Sequence, residues 1–296
     1  MAASRDRVKG PQETRGYHMG RVDTVISVDE VAREARRIAE IGPDKDQLAQ
    51  LASHSPYVVI DDLRAGYGKM EILHTLNLQV ARRQSLCLIG PNGAGKSTVL
   101  HSIFGFTNIF SGSIVIGDGK DQRDITKLTP NQKLKHAGIA YILQDKSIFP
   151  NMTVEENLWM GGYLMNKPAQ AKETAEKIFT KYPRLAERRR HLARVLSGGE
   201  RRLLEISRAL VMEPKVLLVD EPSIGLEPRF IDMVFEILND LQHNEGKTII
   251  MVEQNAKKGL EFADIGYVLV DGQIAIAGAG KELLKNPDVG RLFLGG

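Results

Sequence analysis

Gly90 and Gly95 stand with four residues between them in Gly90-Pro91-Asn92-Gly93-Ala94-Gly95-Lys96-Ser97, and Lys96 and Ser97 follow at once. Glycines at this spacing let the backbone bend so that successive N–H groups point inward at an anion. The lysine then reaches the outer phosphates of a nucleotide, and the serine hydroxyl is a ligand for Mg²⁺. Thr98 adds a hydroxyl near the innermost phosphate. Such a loop must join a strand to a helix, because the helix N-terminus adds partial positive charge behind the anion. The flanks meet this demand: Leu86-Cys87-Leu88-Ile89 reads as a buried strand, and Thr98-Val99-Leu100 begins a helix.

A second set of oxygens stands at Asp220-Glu221, directly after the apolar run Val216-Leu217-Leu218-Val219. Ligands of open α/β sheets bind at the carboxyl ends of the strands, so these acids are expected beside the phosphate loop, one strand away. Asp220 then serves Mg²⁺, through water or Ser97, while Glu221 orients or deprotonates an attacking water. Upstream, Leu196-Ser197-Gly198-Gly199-Glu200 opens a helix whose Leu203, Ile206 and Leu210 fall on one face. A serine and free amides at a helix start suit an anion, or simply cap the helix.

The chain around these residues has 296 residues, of which 42% are hydrophobic and 26% charged, enough for a substantial core. Its net charge of +3 does not point to nucleic acid or to anionic lipid. Cys87 is the only cysteine, so a disulfide framework or a cysteine zinc site within the chain is excluded. The seven histidines form no pair at metal-ligand spacing, and Mg²⁺ is the only metal expected. No apolar run reaches the roughly 18 residues of a membrane span, and a soluble, cytoplasmic chain is expected.

Residues 1–55 are polar and charged, and form an extension distinct from the remainder of the chain. Ser27 with Glu30 makes a capping box, Gly42-Pro43 closes it, and Val28, Val31, Ala35 and Ile38 share a face, which predicts an amphipathic helix over 28–41. It packs on its own chain or docks a partner; a later start at Met19 would remove part of the segment. From 56 onward regular elements succeed one another. Tyr57–Ile60, Leu76–Val80, Ser113–Ile116 and Ile139–Leu143 read as strands, the last followed by Gln144. Tyr67, in the turn Ala65–Met70, either stacks on an adenine base or packs on the sheet. Thr153 with Glu156 predicts a helix start, Ala169–Lys181 a second helix, and together they suggest a helical insert over about 145–212. Arg188-Arg189-Arg190-His191 reads as a solvated helical face, and Asp271-Gly272 as a hairpin turn.

In order and spacing, the phosphate loop, Gln144, Leu196–Glu200, the strand ending Asp220-Glu221 and Ser223-Ile224-Gly225-Leu226 resemble the ATP-binding cassette ATPases. The resemblance covers about residues 56–296. It is strongest to the ATPase subunits of branched-chain amino-acid importers, in Ile148–Leu158, in Val252-Glu253-Gln254-Asn255 and in Leu294-Gly295-Gly296. It implies an α/β fold: a phosphate-loop NTPase core sheet with an inserted α-helical subdomain and a small antiparallel β portion. It also implies ATP with Mg²⁺, hydrolysis coupled to transport, and a peripheral place on the cytoplasmic face of the inner membrane. The partners it implies are permease subunits, a second cassette placed head to tail, and indirectly a solute-binding protein. Each ATP then lies between one chain's phosphate loop and the other chain's Ser197, Gly198, Gly199 and Glu200. Gln144 senses Mg²⁺ or the attacking water and relays the change to the helical subdomain. Urea, amides or another small polar solute is an alternative cargo. Cassettes that act on DNA or ribosomes usually carry zinc modules, long coiled coils or a second cassette, none of which is visible here, and no nucleic acid is expected.

Three departures from the wider pattern of that family involve four positions. Gln254 replaces a histidine that contacts the γ-phosphate, and it can orient or donate a hydrogen bond without carrying charge; alternatively it is a surface residue before a helix capped by Asn255. Glu227 stands where Asp is common, and Arg201-Arg202 where glutamines are common. The two arginines either aid nucleotide binding or lie in solvent.

Overall fold

The computed structural model of the protein describes Arg37 and residues 42–53, 55–144 and 147–293. Apart from Arg37, the helix expected over 28–41 lies outside the described residues, as does Leu294-Gly295-Gly296. Helix α1 (Lys45–Leu51) was not foreseen; Asp44 and Gln47 cap its start reciprocally, and Leu48 is fully buried. Lys45 bridges Asp61 and Asp62, which ties the helix to the strand beyond it.

Strands β1 (Pro56–Tyr67) and β2 (Met70–Ala81) form an antiparallel hairpin. Strand β3 (Ser85–Ile89) leads to α2 (Lys96–Phe104), and β4 (Asn108–Ile116) and β5 (Arg123–Asp124) complete a four-stranded sheet of order β2-β1-β4-β5. Next come α3 (Pro130–Ala137) and β6 (Ile139–Ile142). Four helices then stand between β6 and the next strand: α4 (Val154–Gly161), α5 (Pro168–Lys181), α6 (Pro183–Glu187) and α7 (Gly198–Leu210). The chain returns to the sheet with β7 (Val216–Asp220), α8 (Pro228–His243), β8 (Thr248–Val252), α9 (Ala256–Phe262), β9 (Ile265–Val270) and β10 (Gln273–Ala279). The larger sheet has the order β10-β9-β3-β8-β7-β6 and is parallel except for β10. Asp271 and Gly272, both at positive φ, make the two-residue turn into β10.

The alternation of each central strand divides the core. Leu86 and Leu88 of β3 face the antiparallel sheet and α2, whereas Cys87 and Ile89 face the helices on the opposite side. Leu218 and Ile250 join the first cluster, and Leu217, Val219, Ile249 and Met251 the second. Both faces are covered, which is why these strands read as unbroken apolar runs.

Two expectations are corrected. The acids after β7 are not on the strand next to the phosphate loop, because β8 lies between β3 and β7. The run Arg188-Arg189-Arg190-His191 is a turn after α6 and not a solvated helical face. Its Arg189 guanidinium binds Glu155 at 2.6 Å and both oxygens of Glu176. The carbonyls of Arg189 and His191 accept from the amides of Glu155 and Val154, groups that a helix start leaves without internal partners.

Candidate functional site

The phosphate loop crosses from the carboxyl end of β3 to the N-terminus of α2, with β9 and β8 on either side. Gly90 has φ 147°, and a Cβ there would lie 2.1 Å from the carbonyl oxygen of Leu269 in β9, so only glycine fits. Gly95 caps α2 in the left-handed region at φ 98°, which turns the loop into the helix axis. Pro91, Asn92 and Gly93 are exposed across the loop, whereas Ala94, Lys96 and Thr98 are buried beneath it.

Lys96 is 7% exposed, and its Nζ donates to the carbonyls of Gly90 at 2.9 Å and Pro91 at 3.0 Å. Burial pulls its pKa down, against the opposing charges of Glu221 and Asp220. The ammonium therefore sits in the loop's mouth, held by acceptors that a triphosphate can replace. One residue on, Ser97 Oγ donates to Asp220 Oδ1 at 3.1 Å, and Tyr141 Oη donates to Asp220 Oδ2 at 2.8 Å. Burial, reinforced by the adjacent Asp220 charge, pushes the Tyr141 hydroxyl well up, so it stays a donor. A serine oxygen and a carboxylate oxygen at this distance are hard donors of the kind Mg²⁺ takes.

Glu221 follows in a left-handed backbone conformation, φ 43°, which is uncommon for a side chain of this kind. Its amide donates to the Val252 carbonyl on β8 at 2.9 Å, which holds the turn. The strained turn directs the acid off the strand line, as strain at functional sites often does. Burial raises the Glu221 pKa, as does the adjacent Asp220, while Lys96 opposes both. Gln144 Nε2 donates to Glu221 Oε2 at 2.9 Å. Lys96, Ser97, Asp220, Glu221 and Gln144 are thus brought together at one end of the sheet.

The other expected residues are placed more loosely. Tyr67, 39% exposed at the end of β1, hydrogen-bonds His101 Nδ1 through its hydroxyl. Gln254 is exposed and has no side-chain hydrogen bond among the described residues, and Asn255 does cap α9. Ser197 and Glu200 form a capping box at the start of α7, with Ser197 and Gly198 exposed. Among the described residues, no hydrogen bond or ion pair joins Ser197–Glu200 to the loop 90–97. Glu227 is exposed and paired with Arg229. Arg201 is exposed, but Arg202 is 4% exposed, so the solvent alternative does not hold for Arg202.

Three contributors were not read from sequence, and a fourth, Arg202, was read without its partners. Tyr141 and His101 gave no signal beyond their places in a strand and a helix. Glu253, 1% exposed, accepts from the Ser223 hydroxyl at 2.7 Å and from the Asn255 amide at 2.8 Å, and so pins the turn after Glu221 to the end of β8. Its place in the stretch 252–255 was the available signal. Arg202 binds the Leu143 carbonyl and Glu205.

A nucleotide-gripping loop, two acids two strands away and a helical insert between β6 and β7 define a phosphate-loop ATPase of the cassette type. The ABC transporter family model matches residues 73–224, and the chain belongs to that family of ATP-hydrolysing transport subunits. It is 40% identical over 236 residues to the high-affinity branched-chain amino acid transport ATP-binding protein BraG of Pseudomonas aeruginosa, covering 80% of this chain and 98% of that protein. It is 37% identical to the probable branched-chain amino acid transport ATP-binding protein LivF of Archaeoglobus fulgidus, covering 79% and 96%. Among solved structures, the ADP conformation of an ATP-binding cassette of an ABC transporter superposes with a TM-score of 0.70 at 29% identity, covering 81% of this chain and 99% of that one.

Proposed function

We propose that this chain binds ATP with Mg²⁺ at residues 90–98 and hydrolyses it to drive import of branched-chain amino acids through membrane permease subunits. The observation that carries this reading is the joined set Lys96, Ser97, Asp220, Glu221 and Gln144, in a chain 40% identical to a branched-chain amino acid transport protein. Lys96 leaves the carbonyls of Gly90 and Pro91 for the β- and γ-phosphates, and the amides of Gly93 to Thr98 cradle the rest. Ser97, Asp220 and Gln144 hold the metal, which when bound neutralises charge on the phosphoryl oxygens. Glu221 orients the attacking water and takes its proton, while Gln254 donates a hydrogen bond to the γ-phosphate. Tyr67 stacks on adenine, its hydroxyl held by His101.

A second cassette, identical or related, closes head to tail, and the Ser197–Glu200 start of α7, exposed at Ser197 and Gly198, meets the phosphates held by the partner. Among the described residues, no helix is long and apolar enough to cross a membrane. One surface feature supports a membrane assembly. An open groove of about 240 Å³ runs between α2 and β6 on one side and α4 and α7 on the other. Phe106, Met160 and Tyr163 line it and are 46%, 36% and 77% exposed, a surface suited to a permease loop or short helix. A solute-binding protein then acts through the permease, and the chain sits peripherally on the cytoplasmic face of the membrane.

The test is leucine uptake by cells lacking this chain, together with capture of its partners from membranes. Loss of uptake, restored by wild type and not by Glu221→Gln, with integral membrane subunits recovered, supports the reading. Unchanged leucine uptake overturns the cargo. Recovery of ribosomes or nucleic acid without any membrane protein overturns the transport role.

A further inference from the structure

Arg202 and Glu205 are a buried ion pair in the first two turns of α7, 4% and 8% exposed, with Nη1 to Oε2 at 2.8 Å. The guanidinium also reaches away from its own helix. Nη1 donates to the carbonyl of Leu143 at 2.9 Å, and Nη2 to the carbonyl of Asp220 at 3.3 Å. Leu143 directly precedes Gln144, and Asp220 directly precedes Glu221, so one side chain holds the backbone just before both members of the Gln144–Glu221 pair. Arg202, Glu205, Gln144 and Glu221, with Gly198 and Leu226, border a cavity of about 200 Å³.

We propose that Arg202 is a positioning residue that links the exposed start of α7 to the Gln144–Glu221 pair, and so couples the two ATP sites of a cassette dimer. The helix is the rigid element. Ser197 and Arg202 are five residues apart along it, about 7.5 Å of axis, so a shift of the helix start carries the guanidinium with it. Arginine suits this role because its planar fork spans two carbonyls and a carboxylate, while a lysine offers one point charge. Glu205 compensates the buried charge and fixes the fork's direction. With the phosphates of the partner's nucleotide engaged by Ser197–Glu200, Arg202 draws Gln144 and Glu221 into register for this chain's own nucleotide. Coupling between the sites rests on the head-to-tail dimer proposed above.

The experiment measures ATPase rate against ATP concentration for full-length wild type, Arg202→Lys, Arg202→Met and Glu205→Gln. Nucleotide affinity is read separately with a fluorescent ATP analogue, and melting temperature is recorded. Arg202→Met is expected to lower kcat at least tenfold with nucleotide affinity changed less than threefold, and to bring the Hill coefficient towards 1. Arg202→Lys and Glu205→Gln fall between, and carry the test if Arg202→Met does not fold. Wild-type kcat and Hill coefficient in these variants overturn the proposal, as does a loss of rate matched by equal loss of affinity and melting temperature, which marks a merely structural staple. ATP-dependent dimerisation of Glu221→Gln, followed by sedimentation, tests the dimer itself. If that variant stays monomeric with ATP, the dimer of identical chains fails and the coupling between two copies of this chain with it; if it dimerises, unchanged kinetics in the Arg202 variants sink the inference alone.

Discussion

Ser97 Oγ in the first turn of α2 and Asp220 Oδ1 at the end of β7 stand 3.1 Å apart, and the other oxygen of the same carboxylate takes the Tyr141 hydroxyl. The carboxylate is therefore oriented from both sides before any metal arrives. Tyr141 also lines the groove beside α4 and α7, so it stands between that surface and the acid.

Removing the orienting hydroxyl tests this arrangement. Tyr141→Phe keeps the ring among Phe104, Phe106 and His101 and deletes only the bond to Asp220. Loss of an outer-shell partner of a metal ligand costs about 10- to 100-fold in metal affinity. Titrating Mg²⁺ into the ATPase reaction should show a half-saturating concentration raised by at least about tenfold, with ATP binding in the absence of metal unchanged. An unaltered Mg²⁺ curve removes Tyr141 from the site.

Glu221→Gln should retain ATP and slow hydrolysis by about a hundred- to ten-thousand-fold, the contribution of a positioned acid or base. The raised pKa of Glu221 adds a pH signature. A base works only when deprotonated, so the acid limb of the wild-type rate profile should lie above the ordinary carboxylate range, and vanish in Glu221→Gln. Burst-free turnover at the wild-type rate in the variant refutes the role.

The parts of the site legible in sequence were those whose residue types are dictated locally. The loop at 90–97 demands glycine at Gly90 because the Leu269 carbonyl comes so close, and that demand is visible as a pattern. Ser197 and Glu200, and Thr153 and Glu156, were readable because a capping box is made within four residues. Sheet order was not readable, since nothing near Val216–Asp220 records that β8 intervenes before β3. The buried place of Arg202 was not readable for the same reason: its partners Leu143 and Asp220 lie 59 and 18 residues away. The helix at Lys45–Leu51 carried a signal in Asp44 and Gln47, lost within the polar surroundings of the segment.

Lys96→Ala should weaken nucleotide binding at least about tenfold, because among the described residues no other cation reaches the mouth of the loop through bonds to Gly90 and Pro91. The expected outcome differs from that of Glu221→Gln in kind, since affinity falls and not the chemical step alone. Equilibrium binding of a fluorescent ATP analogue distinguishes them. Wild-type affinity in Lys96→Ala contradicts the assignment of the loop.

Lys133 offers a prediction about stability. It is fully buried in α3, its Nζ 3.3 Å from the Ser102 carbonyl near the C-terminal end of α2. Burial lowers its pKa from 10.5 to about 8, with Asp124 opposing. The folded state therefore holds the proton less tightly than the unfolded chain. Between pH 8 and 10.5 the unfolded state binds more protons, so stability rises with pH through this window. Measured against Lys133→Met, which cannot titrate, the wild type should gain up to about 3 kcal/mol from pH 8 to 10.5. Urea unfolding of both proteins at the two ends of the window gives the difference directly. A constant gap between them shows that the amine stays charged where it is buried.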